Sequence, residues 1–541
     1  MDVARAIANA LSDLGVSRVY GIIGTSLIDF IDALYDYRQI RYISCRHEQV
    51  SSSMADAEGR LTGFPGVAIA HASPGTLNSA ISVANAYKDG SPMVLIAGSV
   101  SRSLKGKNSM LEANQFEVMK PITMGCYRLE EPRKAVETIE KAFSIAINEC
   151  GPVYVEIPED LWRESCEYSK PKLKVSKTFA SGEEVDRAAE IIKRSSRPLI
   201  VAGYGLNSAE GSKVLLELVD KTGIPVVTTG NGRGAISEEH EFCFGRVGFG
   251  GGSLHADKAL KNSDCVICLG CQLSDITTYS YRMMPKGDII AVTLDREAGS
   301  KLNYSLITYS DAVDFTKRLS EKLNYRVDKN WVEEIKNWKA SWDGFLDQMS
   351  EMKYEGFANP NLFFKKLNER LGNAVVCAGQ GMHVLYAQNY LKAKRPRSYL
   401  AATNHGAMGF GLSAGMTAKL LGYESIAVLG DGEFMMTIQD LETAVREKIA
   451  VKVVVVNDNS YRVLYFRQKF QKEGRIYGTL HTNPDFAKLA EIFGAEGFRV
   501  EKDSEIDEGI KLMLESDKPF VLDLLISPDS FAPINTEAIS E

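Results

Sequence analysis

Short apolar runs recur along the chain, each followed by a polar or glycine-bearing turn and then by a stretch with helical spacing. Between residues 1 and 172 the runs are RVYGIIG, IRYISC, PGVAIAH, SPMVLIAG and PVYVEIP, with helical stretches such as 48–63 and 76–88 between them. Strands that alternate with helices predict a parallel, doubly wound sheet. A second series, PLIVAGYG, GIPVVTTG, DCVICLG and DIIAVTLD, fills residues 183–325, and a third occupies 356–530. Continuous apolar runs of this length fit strands buried on both faces. The charged segment EYSKPKLKVSKTF reads as a linker, and so does 326–355, rich in Lys, Trp and Glu. The acidic tail after Pro533 has no strong pattern. The predicted fold class is α/β: three consecutive doubly wound parallel-sheet domains at 1–172, 183–325 and 356–530.

Residues 424–464 carry the strongest chemical pattern: strand, Gly430-Asp431-Gly432 turn, helix, strand, and a second polar turn, Asn457-Asp458-Asn459. A parallel βαβ unit puts both turns at the carboxyl end of the sheet, where open α/β sheets bind ligands. Asp431 and Asp458, 27 positions apart, then sit together beside a helix N-terminus. Two oxygen ligands and a positive helix end make a seat for a divalent cation holding a diphosphate.

Bulk properties narrow the classes. At 541 residues the chain exceeds one core. With 45% hydrophobic and 25% charged residues it is ordinary for a globular protein. A net charge of −7 without a basic run argues against nucleic acid. No apolar stretch is long enough to span a membrane. The N-terminal MDVARAIANALSDLGV is amphipathic with acids, and reads as a first helix rather than a signal or transit peptide. Among nine cysteines, Cys265, Cys268 and Cys271 stand at Cys-x-x-Cys spacing in DCVICLGC. That spacing invites a zinc or redox reading, but the segment is an apolar strand with no second pair at zinc spacing. The cysteines are read as buried small hydrophobes in a reduced, cytoplasmic protein. Gly203-Tyr204-Gly205 lacks a third fingerprint glycine and is read as a βα turn.

The Gly-Asp-Gly and Asn-Asp turns at this spacing resemble the signature of thiamine diphosphate (ThDP) enzymes. The first and third blocks resemble the acetolactate synthase, pyruvate oxidase and benzoylformate decarboxylase family. The resemblance implies ThDP and Mg2+, with the pyrimidine in the first domain and the diphosphate in the last. It also implies a homodimer or homotetramer with active sites between subunits. Arg46-His47-Glu48-Gln49 matches the family's Arg-His-Glu segment and places Glu48 at the aminopyrimidine. A carboxylic acid there favours the imino tautomer, and burial would raise its pKa. His71-Ala72-Ser73-Pro74-Gly75-Thr76-Leu77-Asn78 matches the turn often read as Ser-Gly-Pro-Gly-x-x-Asn, with Asn78 near the cofactor. Gly379, Gln380 and Gly381 resemble the diphosphate-side turn. Gly406-Ala407-Met408-Gly409 matches the segment whose Met holds the cofactor bent. Gly430, Asp431, Gly432, Glu433 and Tyr461 complete the implied cofactor contacts, and Asp431, Asp458 and the Ser460 carbonyl the implied metal ligands.

Departures from the family shape the expected reaction. His71 stands where acetolactate synthases have Thr or Ser and benzoylformate decarboxylases have an acid–base His. Thr25 falls where those decarboxylases carry an active-site Ser. Leu111 replaces the Gln of a Phe-Gln-Glu loop. Arg462 and Arg467 either bind a substrate carboxylate or are solvated helix residues. With Glu48, His71 and Thr25 as catalytic residues, the expectation is non-oxidative decarboxylation of a small-molecule 2-oxo acid through an enamine. The alternative is acetolactate synthase-type carboligation. A 2-hydroxyacyl-CoA lyase or oxalyl-CoA decarboxylase stays open, as does an oxidase. FAD is possible but not favoured, because Leu269-Gly270-Cys271-Gln272 lacks the Arg of flavin-binding relatives. A scaffold that lost the chemistry is disfavoured by Glu48, Asp431 and Asp458 together.

Overall fold

The computed structural model describes residues 1–300 and 302–535, so the end of the tail after Pro533 lies outside the described residues. Each block forms one six-stranded, all-parallel sheet. The first contains β1 (Arg18–Gly21), β2 (Arg41–Ser44), β3 (Gly66–Ala70), β4 (Met93–Ser99), β5 (Gly125–Arg128) and β6 (Pro152–Pro158), in the order β2-β1-β3-β4-β6-β5. The second contains β7 (Pro198–Ala202), β8 (Val226–Thr228), β9 (Cys243–Arg246), β10 (Cys265–Leu269), β11 (Asp288–Thr293) and β12 (Leu306–Tyr309), in the order β12-β11-β10-β7-β8-β9. The third contains β13 (Val375–Ala378), β14 (Tyr399–Ala401), β15 (Ser425–Gly430), β16 (Lys452–Asn457), β17 (Glu496–Val500) and β18 (Phe520–Leu525), in the order β14-β13-β15-β16-β18-β17. The outer sheets therefore share one topology, and the middle sheet has the dinucleotide-fold arrangement.

Every residue of β3, β4, β6 and β7 is buried, because helices cover both faces and the strands need no polar alternation. Among the strands outside the quoted apolar runs and the 424–464 unit are β5, β9, β12, β14, β17 and β18. All but β18 are sheet edges, where shorter or half-buried strands give a weak pattern. The segment 326–355 is no flexible linker. It is mostly a helix, Lys329–Glu351, capped by Asp328 and burying Trp331, Ile335, Trp342, Leu346 and Met349 at helical spacing.

The middle block has a core of its own. The outer blocks share one: Val50 and Met54 of the Glu48–Thr62 helix join Leu412 and Met416 of the Phe410–Leu420 helix. Arg60 crosses this seam, bonding Asp56 at 2.7 and 2.8 Å and the Ala401 carbonyl at 2.9 Å. Among the described residues no helix is long and apolar enough to cross a membrane.

Candidate cofactor site

Strand order reverses between β1 and β3 in the first sheet and between β13 and β15 in the third. Each reversal parts the two following turns and leaves a crevice at the carboxyl end of the strands.

In the first crevice, Ser26 Oγ lies 2.8 Å from His71 Nδ1 and accepts the Ala72 N–H at 3.0 Å. Thr25 is exposed, so the hydroxyl engaged with His71 is Ser26, one residue beyond the sequence expectation. Burial lowers the His71 pKa below the usual imidazole value, with Glu48 and Glu159 pulling the other way. Glu48 opens its helix behind the N-cap His47, whose Nδ1 accepts the Gln49 N–H at 3.1 Å. Glu48 is 8% exposed, and Asn78 Nδ2 donates to its Oε2 at 3.0 Å. Asn78 thus lies within the Pro74–Asp89 helix and holds the Glu48 carboxyl. Gly75 permits that placement, since a Cβ there would sit 2.9 Å from Glu48 Oε1.

Ser73 takes the turn position where the family often has Gly, and its φ is +53°. A non-glycine residue there is strained, and the surroundings must hold it. Gln115 does so, accepting the Ser73 N–H at 2.5 Å and donating through Nε2 to the Gly98 carbonyl at 2.9 Å and Tyr154 Oη at 2.8 Å. Gln115, which the sequence reading passed over, is thus the buried glutamine of this loop. Leu111 lies in the half-exposed segment before it.

The second crevice is a cavity of about 280 Å³. Its walls include Gln380, Gly381, Gly406, Met408, the Gly430–Glu433 turn, Asp458, Ser460 and Tyr461. The two metal-type carboxylates meet here: the Asp458 N–H lies 3.3 Å from Asp431 Oδ2, which also accepts Asn483 Nδ2 at 2.7 Å. Asp458 Oδ1 accepts Ser460 N–H at 3.0 Å and Oγ–H at 2.7 Å. Its Oδ2 accepts Arg462 Nη1–H at 2.7 Å. Burial raises the Asp458 pKa, and Arg462 opposes that shift. Arg462 is therefore neither solvated nor free for substrate; it is buried, and it also donates to Ser530 Oγ at 2.9 Å. Arg467 is exposed on the same helix.

Glu433 turns back onto the neighbouring turns, accepting the Gln380 N–H at 2.9 Å and the Gly409 N–H at 2.7 Å. Gly379 is required beneath it, because a Cβ there would overlap the Glu433 carboxylate. His383 Nε2 lies 3.2 Å from Glu433 Oε2 yet is misaligned for a hydrogen bond, leaving a buried nitrogen unpaired at the cavity wall. His481 Nε2, 3.4 Å from Asp431 Oδ2, is likewise buried without a bond. Unpaired buried ring nitrogens beside two carboxylates suit a bound anion–cation pair such as a metal diphosphate. Among the described residues no three His, Cys, Asp or Glu side chains cluster for a metal. A Mg2+ held by two carboxylates, a carbonyl and phosphate oxygens needs no such cluster.

At the reversal of the middle sheet the two turns meet. Gly203, after β7, would place a Cβ 2.4 Å from the Gly270 carbonyl after β10. Cys265 and Cys268 are buried in β10, and all nine cysteines are free thiols.

Comparison with known proteins gives a family match in each of the three blocks. Residues 1–118 match the N-terminal TPP binding domain of thiamine pyrophosphate enzymes, 185–324 the central domain, and 379–524 the C-terminal TPP binding domain. A probable acetolactate synthase large subunit of Methanocaldococcus jannaschii is 30% identical, over 99% of this chain and 93% of the relative. An acetolactate synthase of Mycobacterium bovis is 30% identical, over 97% and 88% of the two chains. The acetolactate synthase large subunit of Corynebacterium glutamicum is 30% identical, over 98% and 87%.

Proposed function

From the premise that the chain belongs to the thiamine pyrophosphate enzyme family, acting on 2-oxo acids, we propose that it is a carboligase of the acetolactate synthase type. The observation that carries this is the 30% identity with a probable acetolactate synthase over 99% of the chain. It is favoured over the benzoylformate decarboxylase expectation, which rested on His71, Thr25 and Leu111.

When bound, ThDP supplies the electron sink that lets a 2-oxo acid lose carbon dioxide and leaves its acyl carbon nucleophilic. The chain's own residues bind and orient. Asp431, Asp458 and the Ser460 carbonyl would hold Mg2+, and the turns at Gly379–Gly381 and Gly430–Gly432 the diphosphate. Met408 would support the bent cofactor, and Tyr461 lines the same wall. Glu48, held by Asn78, would meet the aminopyrimidine. No residue lining the cavity comes from the first block, which supports a homodimer or larger assembly in which Glu48 reaches the cavity of another copy.

A second reading has one specific support. His71 and Ser26 form a protic pair beside Glu48, as release of an aldehyde by protonation would require. Turnover of pyruvate with added ThDP and Mg2+ separates the readings. Acetolactate should be the main product; aldehyde as the main product would overturn the carboligase reading. Peroxide would point to an FAD-dependent oxidase.

A further inference from the structure

Ser26 is among the most tightly held residues of the first crevice. It is 1% exposed, its carbonyl accepts Trp162 Nε1–H at 2.8 Å, and Gly98 abuts its hydroxyl so closely that a Cβ there would lie 2.1 Å from Oγ. Its Oγ has two partners among the described residues: the Ala72 N–H at 3.0 Å and His71 Nδ1 at 2.8 Å. The Ala72 amide can only donate. A hydroxyl has one proton to give and two lone pairs to receive. If Nδ1 carried a proton, Ser26 would accept twice and its own buried proton would face no acceptor. An unsatisfied buried donor costs about 1–3 kcal/mol, enough to select the alternative. In the satisfied arrangement the Ser26 O–H donates to Nδ1, and the imidazole proton resides on Nε2.

We propose that Ser26 holds His71 as the neutral imidazole with its proton on Nε2, so that His71 serves as a hydrogen-bond donor and not as a proton donor. Ser26 is then a positioning residue acting through His71. The direction of the His71 pKa agrees, since protonating Nδ1 would orphan the Ser26 proton as well as charge a half-buried ring. The charged groups that oppose this, Glu48 and Glu159, favour the cation but do not outweigh burial. A neutral imidazole is a far weaker acid than imidazolium, yet its N–H polarises a carbonyl or stabilises an oxyanion. The consequence rests on the 2-oxo acid reading above. A His71 that keeps its proton leaves the decarboxylated fragment to be trapped by a second 2-oxo acid. That reconciles a histidine in this position with relatives named for carboligation.

The test is nitrogen NMR of the full-length protein labelled with 15N-histidine and loaded with ThDP and Mg2+. The chain has seven histidines, and the His71→Gln variant assigns the signal. At neutral pH the signal should show Nδ1 bare and Nε2 protonated. In Ser26→Ala the Nδ1 resonance should shift toward the protonated position, the titration should move up, and the ratio of aldehyde to ligation product from pyruvate should rise. A protonated Nδ1 in the parent, or a Ser26→Ala variant that leaves the resonance unmoved, overturns the proposal. Should Ser26→Ala fail to fold, the parent spectrum alone decides. If the parent turns over no 2-oxo acid, the functional reading fails while the tautomer is still read directly.

Discussion

The third block and the middle block are built from the same elements, yet the third encloses a cavity where the middle one's turns meet. Each sheet reverses strand order near its middle, and the outer sheets reverse again where β6 and β18 return inside β5 and β17. After β13 and β15 the parted turns enclose about 280 Å³. After β7 and β10 the equivalent turns touch, with Gly203 against Cys271 and Gly270. Topology therefore offers a site and packing decides whether it exists. In the third block, side chains such as Glu433 and Tyr461 stand between the turns as walls. In the middle block, glycines on both turns let backbone meet backbone and consume the space.

The sharpest way to break this comparison is to disable the crevices of the two outer blocks separately. Glu48→Gln should lower kcat by about 10²–10⁴-fold, while calorimetry shows ThDP still bound. Asp431→Ala should remove metal-dependent ThDP binding. If the two crevices meet across a subunit interface, mixing the two inactive variants should restore about one quarter of the parent rate, from hybrid dimers with one intact site. No recovery after subunit exchange would mean that each chain builds its site alone.

The next effect concerns stability. Arg462→Met leaves the Asp458 carboxylate buried without its cation, and should destabilise the metal-free protein by about 3–5 kcal/mol. Thermal melting without added metal measures this. An unchanged melting temperature would show that the pair is relaxed by water.

Gly203→Ala probes the closed crevice. Its Cβ would fall 2.3 Å from Cys271 Cβ, so the turns must part, at about 1–3 kcal/mol. Affinity for ThDP should not change; a loss would show that the middle crevice communicates with the cofactor.

The smallest effect is on pH dependence. Asp257 in the middle block is pushed up to about 6 by burial, although Gly248, Tyr279 and Asn535 all donate to it. Its folded pKa exceeds the unfolded value, so the native state binds the extra proton between about pH 4 and 6 and stability falls as pH rises through that window. Asp440 and Asp523, also pushed up to about 6, act the same way in the third block. Asp257→Asn should flatten part of the fall, read as the difference in urea midpoints between variant and parent across that range.

Some parts of this molecule were legible before folding. β3, β4, β15 and β16 are continuous apolar runs because helices bury both their faces, and that burial is written into residue type. Asp431 and Asp458 were legible for a related reason: a βαβ unit of this length brings its two turns to one edge. Edge strands such as β5 and β17 were not, because half-buried backbone accepts almost any side chain. The helix Lys329–Glu351 was missed because its charged face outweighs its apolar stripe in composition.

The sequence by itself determined the three α/β blocks, the turns that carry the carboxylates, and the family. These are properties of local pattern and of short loops with little freedom. Tertiary structure alone decided that Ser26 rather than Thr25 meets His71, that Gln115 props the strained Ser73, and that Arg462 is spent on Asp458. Each of these depends on which atoms lie within about 3 Å after distant segments pack, and hydrogen bonds lose most of their strength beyond that distance.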